Sequence, residues 1–423
     1  MTTKLFIISD QGTSTGYGRI AAEVSLRLQK RGYQVLGASV AYDGLLPAMY
    51  DGNPLPYHVA SLQGKADWPK LCMDIAGVFQ PDIVMVIQDN PYLQAIRYAP
   101  FDWSKIAFIG ITPVDGAPIY STWVDLAREA DGMLSISEFG VNTYKKAGVQ
   151  VGLCRPAPNL DKFYMLPDDK RLEIRAKLGI APDAFVLGTM CQNQGRKAIW
   201  STLQAFMEFS VDKPDARYLM DMEEVSPAGW DLPSMCKMFG WDVKKLIFRS
   251  QCQQAGVMEL RDRYNVLDVH AVISHREGFG LPLVEAQACG VVTMALDYCS
   301  GTEVCRNGNG VLINPVPYTS ISTWGNALDY HPDVSDITKK LQWLYDNPSE
   351  RKTIAQRGMQ DARAHTWDQA ADAVQVVIER VLEKRKSKIM TATPSPSMNI
   401  PAPVMPSPDG VQAVDPQLIT VLK

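Results

Sequence analysis

Ser274-His275-Arg276-Glu277-Gly278-Phe279-Gly280-Leu281-Pro282-Leu283-Val284-Glu285-Ala286 is the stretch that decides how the rest of the chain reads. It closes the apolar run 269–274, whose β-branched residues mark a buried strand. Gly278 and Gly280 then punctuate a turn, and a helix starts near Leu281-Pro282. Proline there gives up only an N–H that has no partner in a first helical turn. Such a junction aims backbone N–H groups and the positive end of a helix dipole into a crevice, which suits a phosphate. Glu277 enters the turn and Glu285 follows about two helical turns later. Two carboxylates so placed can accept hydrogen bonds from hydroxyls at two ends of a polyhydroxylated ligand. An ordinary strand–turn–helix with exposed acids is the plain alternative.

Outward from this junction, short apolar runs alternate with helix-length amphipathic stretches. In the rear half, 185–190, 217–222, 246–249, 269–274 and 291–296 read as strands, with helices over 198–209 and 283–289. In the front half, 4–9, 34–40, 83–88, 106–111 and 134–137 read as strands, with helices over 17–30, 70–79 and 139–146. Strands alternating with helices predict βαβ units and a parallel sheet covered on both faces. The fold class is therefore α/β, with two Rossmann-like doubly wound domains. The seam falls in the proline-rich 156–167, ill suited to an internal helix. The expected domains are 1–160 and 161–366, followed by a helix over 367–388 with a basic last turn and a flexible Pro/Ser-rich tail over 389–423. Further amphipathic helices are expected over 333–345 and 348–365.

Bulk composition sets bounds. The chain has 423 residues, of which 46% are hydrophobic and 21% charged, so two buried cores are within reach. A formal charge of -4 argues against a protein that coats duplex nucleic acid. The 8 cysteines form no C-x-x-C pair and no metal-like cluster with the 5 histidines, so they read as small buried hydrophobes of a reduced protein, with no metal site. The first apolar run is too short for a signal peptide and no segment is long enough to span a bilayer, which together predict a cytoplasmic protein.

Three further loops carry chemistry. Cys191-Gln192-Asn193-Gln194-Gly195-Arg196-Lys197 follows the 185–190 strand. A guanidinium fork beside a lysine point charge at a strand's carboxyl end can stabilise a diphosphate, although a solvated Arg-Lys turn is the commoner use of such a pair. Gly16, Tyr17 and Gly18 follow the first strand, where glycines let a helix start close to a ligand or merely allow tight packing. Asp115 precedes Gly116 at the end of the 106–111 strand and is either a ligand contact or a turn-capping residue.

The spacing of Glu277 and Glu285 around Gly278, Phe279, Gly280 and Leu281 resembles the signature of retaining GT-B glycosyltransferases. These are enzymes of the glycogen-synthase and sucrose-synthase type and, more closely, the large bacterial hexosyltransferase family. The resemblance implies two Rossmann-like domains facing a cleft, 1–160 on the acceptor side and 161–366 binding the nucleotide sugar, with the C-terminal helix 367–388 crossing back to the first. It implies that Glu277 contacts donor-sugar hydroxyls, that Glu285 holds the ribose, and that the turn 278–281 lies beside the sugar and diphosphate. Arg196 and Lys197, with Asn193 beside them, resemble the family's phosphate-clamping loop. Gln192 stands where many members carry an arginine. The loop of Gly16, Tyr17 and Gly18 is similar to the family's first glycine-rich loop, and Asp115 to a His-Asp pair whose histidine is here Val114. Pro158 to Phe163, Thr366 to Asp368 and Ser300 to Glu303 fit the same layout.

What the resemblance implies is a retaining, metal-independent hexosyltransferase with Arg196, Lys197, Glu277 and Asp115 in catalytic roles and no cofactor besides the nucleotide-diphosphate sugar donor, with UDP-glucose as the default. The acceptor is an unidentified hydroxyl on a glycan, lipid, protein or modified nucleobase, and the oligomeric state stays open. A nucleotide-sugar epimerase or phosphorylase of the same architecture and an inactive binding scaffold are the alternatives. A dehydrogenase is disfavoured, because the first loop lacks the spacing G-x-G-x-x-G.

Overall fold

The computed structural model describes residues 2–322 and 327–391. Its contacts divide the chain into two units. One holds residues 2–112, 125–134 and 371–391, and the other holds 113–124 and 135–370.

In the first unit, the strands β1 (Lys4–Ser9), β2 (Gln34–Ser39), β3 (Val59–Ser61), β4 (Ile83–Ile87), β5 (Ala107–Thr112) and β6 (Gly132–Ser135) lie in the order β3-β2-β1-β4-β5-β6. β1 pairs in parallel with β2 and with β4, placing Phe6 opposite both Leu36 and Val84. The strands are apolar without alternation because a parallel sheet is covered on both faces. The helix Trp367–Thr391 contributes its residues from 371 onward to this unit. A Cβ on Gly132 would lie 2.5 Å from Val377, so only glycine lets that helix lie against β6. Arg31 adds a hydrogen bond to Gln375 at 2.9 Å, and Arg385 donates to the Ser104 carbonyl at 2.7 Å.

The second unit repeats the plan. Its strands β7 (Val186–Met190), β8 (Arg217–Asp221), β9 (Leu246–Phe248), β10 (Val269–Val272), β11 (Val292–Leu296) and β12 (Val311–Ile313) lie in the order β9-β8-β7-β10-β11-β12. Leu203, Phe206, Tyr218 and Leu341 form the core against one side of this sheet, and Val186, Leu219, Tyr264 and Val266 belong to the core on the other. In both units the strand order reverses between the first strand and the fourth. Open α/β sheets place ligands in the crevice beyond the carboxyl ends of strands at such a point. For the second unit the crevice-forming loops are those after β7 and β10.

The α/β class and doubly wound parallel sheets expected from sequence are the observed fold. Several elements went unread. The helices Asn90–Arg97, Ser121–Glu129, Asp168–Lys177 and Leu232–Phe239 are short, and Asp168–Lys177 buries only Ile174 and Arg175 of ten residues. An antiparallel hairpin of β13 (Pro315–Ile321) and β14 (Leu328–Pro332) is the other surprise; β13 is largely exposed and β14 is half-buried and mixed in polarity, so neither carries an apolar period. The strand expected over 269–274 stops at Val272, which leaves Ser274 in the turn. Residues 113–124 and 135–160, assigned by sequence to the first domain, group with the second unit; the ion pair between Asp115 and Arg276 is one of its internal ties. The helix expected to end at 388 runs to Thr391, and the tail from 392 onward lies outside the described residues.

Arg175 staples the second unit together. Its side chain, 2% exposed, donates to the Val266, Pro182 and Ala184 carbonyls and reaches Asp268 at 2.9 Å. Removing one partner of a buried charged network strands the others without hydrogen bonds. Arg175→Ala is expected to lower unfolding free energy by about 3–5 kcal/mol in urea titrations. A loss below about 1 kcal/mol would show that the network is not needed.

Candidate active site

Two loops meet at the crevice between β7 and β10. The first runs from β7 through the 3-10 turn Gly195–Lys197 into the helix Ile199–Phe209. Ala198 joins them with φ of +48°, a left-handed conformation that disfavours a side chain by about 1 kcal/mol or more. The second is the glycine turn after β10. Gly280 holds φ of +91° and precedes the helix Leu281–Ala288, with Pro282 in its first turn. At Gly278 a Cβ would sit 2.7 Å from the Pro113 side chain, so this position admits no larger residue. The His275 amide donates to the Arg196 carbonyl at 2.9 Å and sews the two loops together.

At their junction stands Glu277. Lys197 Nζ donates to its Oε2 at 2.5 Å, Ser274 Oγ donates to the same oxygen at 3.0 Å, and Arg196 Nη1 lies 3.6 Å away. Burial pushes the Glu277 carboxyl up. The Lys197 and Arg196 cations, with the hydrogen bonds from Lys197 and Ser274, outweigh burial and hold it down at about 2. Glu277 is thus a carboxylate at any physiological pH and accepts hydrogen bonds without being able to give up a proton.

The remaining sequence candidates are placed as follows. Phe279 and Leu281 are buried in the turn, and Arg155 packs over the Phe279 ring at 5.6 Å. Glu285 is buried on the following helix, and Tyr264 Oη donates to it at 3.1 Å. Asn193 is buried and turned into its own loop. It donates to the Glu223 and Trp230 carbonyls at 3.0 and 2.8 Å and accepts from the Trp230 amide at 3.0 Å, clasping the 223–231 segment. Asp115 accepts from Arg276 Nη1 at 2.8 Å.

Gly16, Tyr17 and Gly18 belong to the first unit. Thr15 caps the helix Gly16–Lys30 by accepting from the Gly18 amide at 3.0 Å and donates to Asp10 at 3.0 Å. Burial pushes the Asp10 carboxyl up, against the hydrogen bonds from Thr15 and Gln88. A Cβ on Gly18 would meet the Thr13 carbonyl at 2.5 Å, whereas one on Gly16 would meet nothing. Gly18 is therefore the glycine the backbone requires. Tyr17 Oη donates to Asp89 at 2.5 Å.

Comparison with known proteins follows the same lines. Residues 250–361 match the family model described as "Glycosyl transferases group 1". The chain has the GT-B fold and carries a group 1 glycosyltransferase segment. Among curated relatives, the D-inositol 3-phosphate glycosyltransferase of Streptomyces bingchenggensis is 27% identical over 229 residues, 53% of this chain and 46% of that one. Its namesake in Kineococcus radiotolerans is 27% identical over 244 residues, covering 55% and 52%. The matches thus span about half the length of these relatives. Among solved structures, sucrose-phosphate synthase from Thermosynechococcus elongatus aligns with a TM-score of 0.70 at 14% identity, over 90% of this chain and 100% of its own. HepE from Anabaena, in complex with UDP and glucose, aligns at 0.67 and 17%, over 91% and 100%. No helix among the described residues is long and apolar enough to cross a membrane.

Glu277 and Glu285 lie inside the glycosyltransferase segment; Arg196, Lys197 and Asp115 lie outside it. Sequence reading passed over Arg276, although it adjoins Glu277. Its buried guanidinium bridges Asp115 and Asp329 of β14, the latter at 2.6 Å. Ser300 Oγ also donates to the Glu277 carbonyl at 2.8 Å, and the Tyr298 hydroxyl accepts from the Ala117 amide at 2.9 Å. Asp329 sits in a hairpin with no motif, so nothing in the sequence pointed to it.

The depressed Glu277 acidity makes stability depend on pH. A carboxyl held near 2, against its ordinary 4.5, contributes stability that is complete above 4.5 and is lost as pH falls toward 2. The full contribution is about 3 kcal/mol. The gap in urea midpoint between the wild type and Glu277→Gln is expected to be widest near neutrality and to close with acidification below pH about 4. A gap that stays constant down to pH about 2 would contradict the pairing.

Proposed function

We propose that this chain is a retaining hexosyltransferase that moves a sugar from a nucleoside-diphosphate sugar to a hydroxyl acceptor. One observation carries the reading: the ionised Glu277 carboxylate clamped by Lys197 and Arg196 at the strand-order reversal of the second unit. The group 1 segment around Glu277 supports it. So do relatives named as glycosyltransferases and a fold neighbour solved with UDP and glucose. That neighbour makes UDP-glucose the first donor to test.

In this reading Arg196 and Lys197 hold the donor diphosphate, and the turn 278–281 with its helix start adds backbone N–H groups. Glu285 takes the ribose hydroxyls and Glu277 the sugar hydroxyls. The bond from the anomeric carbon to the phosphate oxygen breaks as the acceptor oxygen bonds to the same face. The acceptor proton passes to the departing phosphate oxygen. Lys197 is shared between Glu277 and the developing phosphate charge, so the cation that pins the carboxylate also stabilises the leaving group. An acid near 2 has no proton to give at neutral pH, which sets Glu277 apart from the general acid of a two-carboxylate glycosidase. Asp115, held by Arg276, orients the acceptor hydroxyl. The protein cations do the neutralising, so the reaction is proposed to be metal-independent.

The test combines a thermal-shift screen of UDP-, GDP- and ADP-sugars with product analysis by NMR. At least one donor is expected to raise Tm, and the product is expected to keep the donor's anomeric configuration. Lys197→Ala is expected to lower transfer by about a hundredfold or more while the protein stays folded. Full activity in folded Lys197→Ala, an inverted product, or an isomerised donor without acceptor would each overturn the reading.

A further inference from the structure

Arg276 stands where the diphosphate-gripping loop and Asp115 meet. Its carbonyl accepts from Arg196 Nη1 at 3.4 Å, and its own Nη1 donates to Asp115 Oδ2 at 2.8 Å. A third tie runs to the hairpin, where Arg276 Nε donates to Asp329 Oδ1 at 2.6 Å. All four residues belong to the second unit. The Arg276 side chain is only 7% exposed, so its two carboxylate partners, and not solvent, set where the guanidinium points.

Fastening the hairpin does not call for Asp329. The Leu328 amide donates to the Ala117 carbonyl at 3.1 Å, and the Tyr330 amide donates to the His275 carbonyl at 3.3 Å. The Tyr298 hydroxyl bridges the first of these pairs again, accepting from the Ala117 amide and donating to the Leu328 carbonyl at 3.3 Å. A Cβ on Gly116 would lie 2.7 Å from Ala327, so only glycine lets the loop of Asp115 pack this closely on the hairpin. A buried ion pair adds little net stability over apolar side chains of the same size, because both charges lose water. What Asp329 adds is direction.

The two contacts of the guanidinium show which direction. Arginine and a carboxylate frequently meet fork to fork, through two parallel N–H···O bonds that occupy both oxygens. Arg276 meets Asp115 through one such bond, and among the described residues Asp115 Oδ1 takes no hydrogen bond. Asp115 is also the more exposed of the two carboxylates, 28% against 17%. We propose that Asp329 is a positioning residue for the acceptor step: by holding Arg276 through Nε it limits the guanidinium to one oxygen of Asp115 and leaves the other to accept the hydrogen bond of the incoming hydroxyl. Without Asp329 the guanidinium turns onto Asp115 with both arms and occupies both oxygens. The inference rests on the transferase reading above and on the place of Asp115 in it. Asp329 and Arg276 move no proton; the acceptor proton still passes to the departing phosphate oxygen.

The test uses the full chain with UDP-, GDP- or ADP-glucose as donor, and with water and glycerol offered as acceptors. Release of the nucleoside diphosphate is followed by phosphorus NMR, donor affinity by calorimetry, and folding by circular dichroism. The wild type is expected to bind and cleave at least one donor. Asp329→Ala is expected to lower kcat about tenfold or more and to leave the donor Kd within about twofold. Asp329→Asn, whose amide oxygen can still accept from Nε, is expected to recover most of that loss. Because Asp329 acts through Asp115, adding Asp329→Ala to Asp115→Asn is expected to change kcat by less than about twofold. Asp329→Ser, too short to reach Nε, takes the place of Asp329→Ala if that variant does not fold. A kcat in Asp329→Ala within about twofold of wild type, a loss carried by Kd instead of kcat, or losses at 115 and 329 that multiply would overturn the positioning role, while wild-type turnover leaves the transferase reading standing. If the wild type cleaves none of the three donors, the transferase reading falls and the positioning role with it.

Discussion

The contact between Lys197 and the Glu277 carboxylate is the interaction on which the second unit's site depends. It spans the two loops that leave adjacent strands where the strand order reverses. It also resolves a conflict that burial creates. A carboxylate in an enclosed crevice would ordinarily take up a proton, and a lysine there would lose one. Paired with Lys197, with Ser274 and Arg196 close by, the carboxylate keeps its charge. A site built this way offers a permanent hydrogen-bond acceptor next to cations that can be shared with an incoming anion. Those are the two properties a polyhydroxylated, phosphorylated ligand requires.

Around this pair the structure has a supporting layer of residues that touch other residues first. Arg276 holds Asp115 with one arm and Asp329 with the other, so a loop, the glycine turn and the hairpin are tied to a single guanidinium. Asn193 satisfies three backbone groups of the neighbouring segment and sets where Trp230 stands. A guanidinium shared between two carboxylates and an amide that meets three backbone groups fix position through directed hydrogen bonds. The strained φ at Ala198 fits this picture, since an unfavourable backbone persists only where its surroundings over-determine it.

The hairpin β13–β14 is fastened to the same frame. Its first strand is mostly exposed and its second half-buried, and its base is pinned to the turn that carries Glu277. An aromatic wall is thereby held next to the charged junction, with Tyr318 stacked on His331 and His331 packed against His275.

The sequence by itself determined the fold class and picked out Arg196, Lys197 and Glu277, which the fold brings together. Continuous apolar strands and amphipathic helices are local periodicities, and the glycine turn between Glu277 and Glu285 is a local spacing, so both survive in one dimension. Arg196 and Lys197 could be placed for the same reason, at the carboxyl end of a legible strand. Tertiary structure alone decided which carboxylate the lysine meets, that Arg276 pairs with Asp115, that Asn193 clasps a loop, and that Gly18 rather than Gly16 is sterically required. It alone decided that a polar hairpin with no hydrophobic period brings Asp329, Tyr318 and His331 to the glycine turn. Apart from the local Gly18 constraint, these are contacts between residues 30 to 161 apart, set by strand order and by hydrogen bonds that have no signature in the sequence.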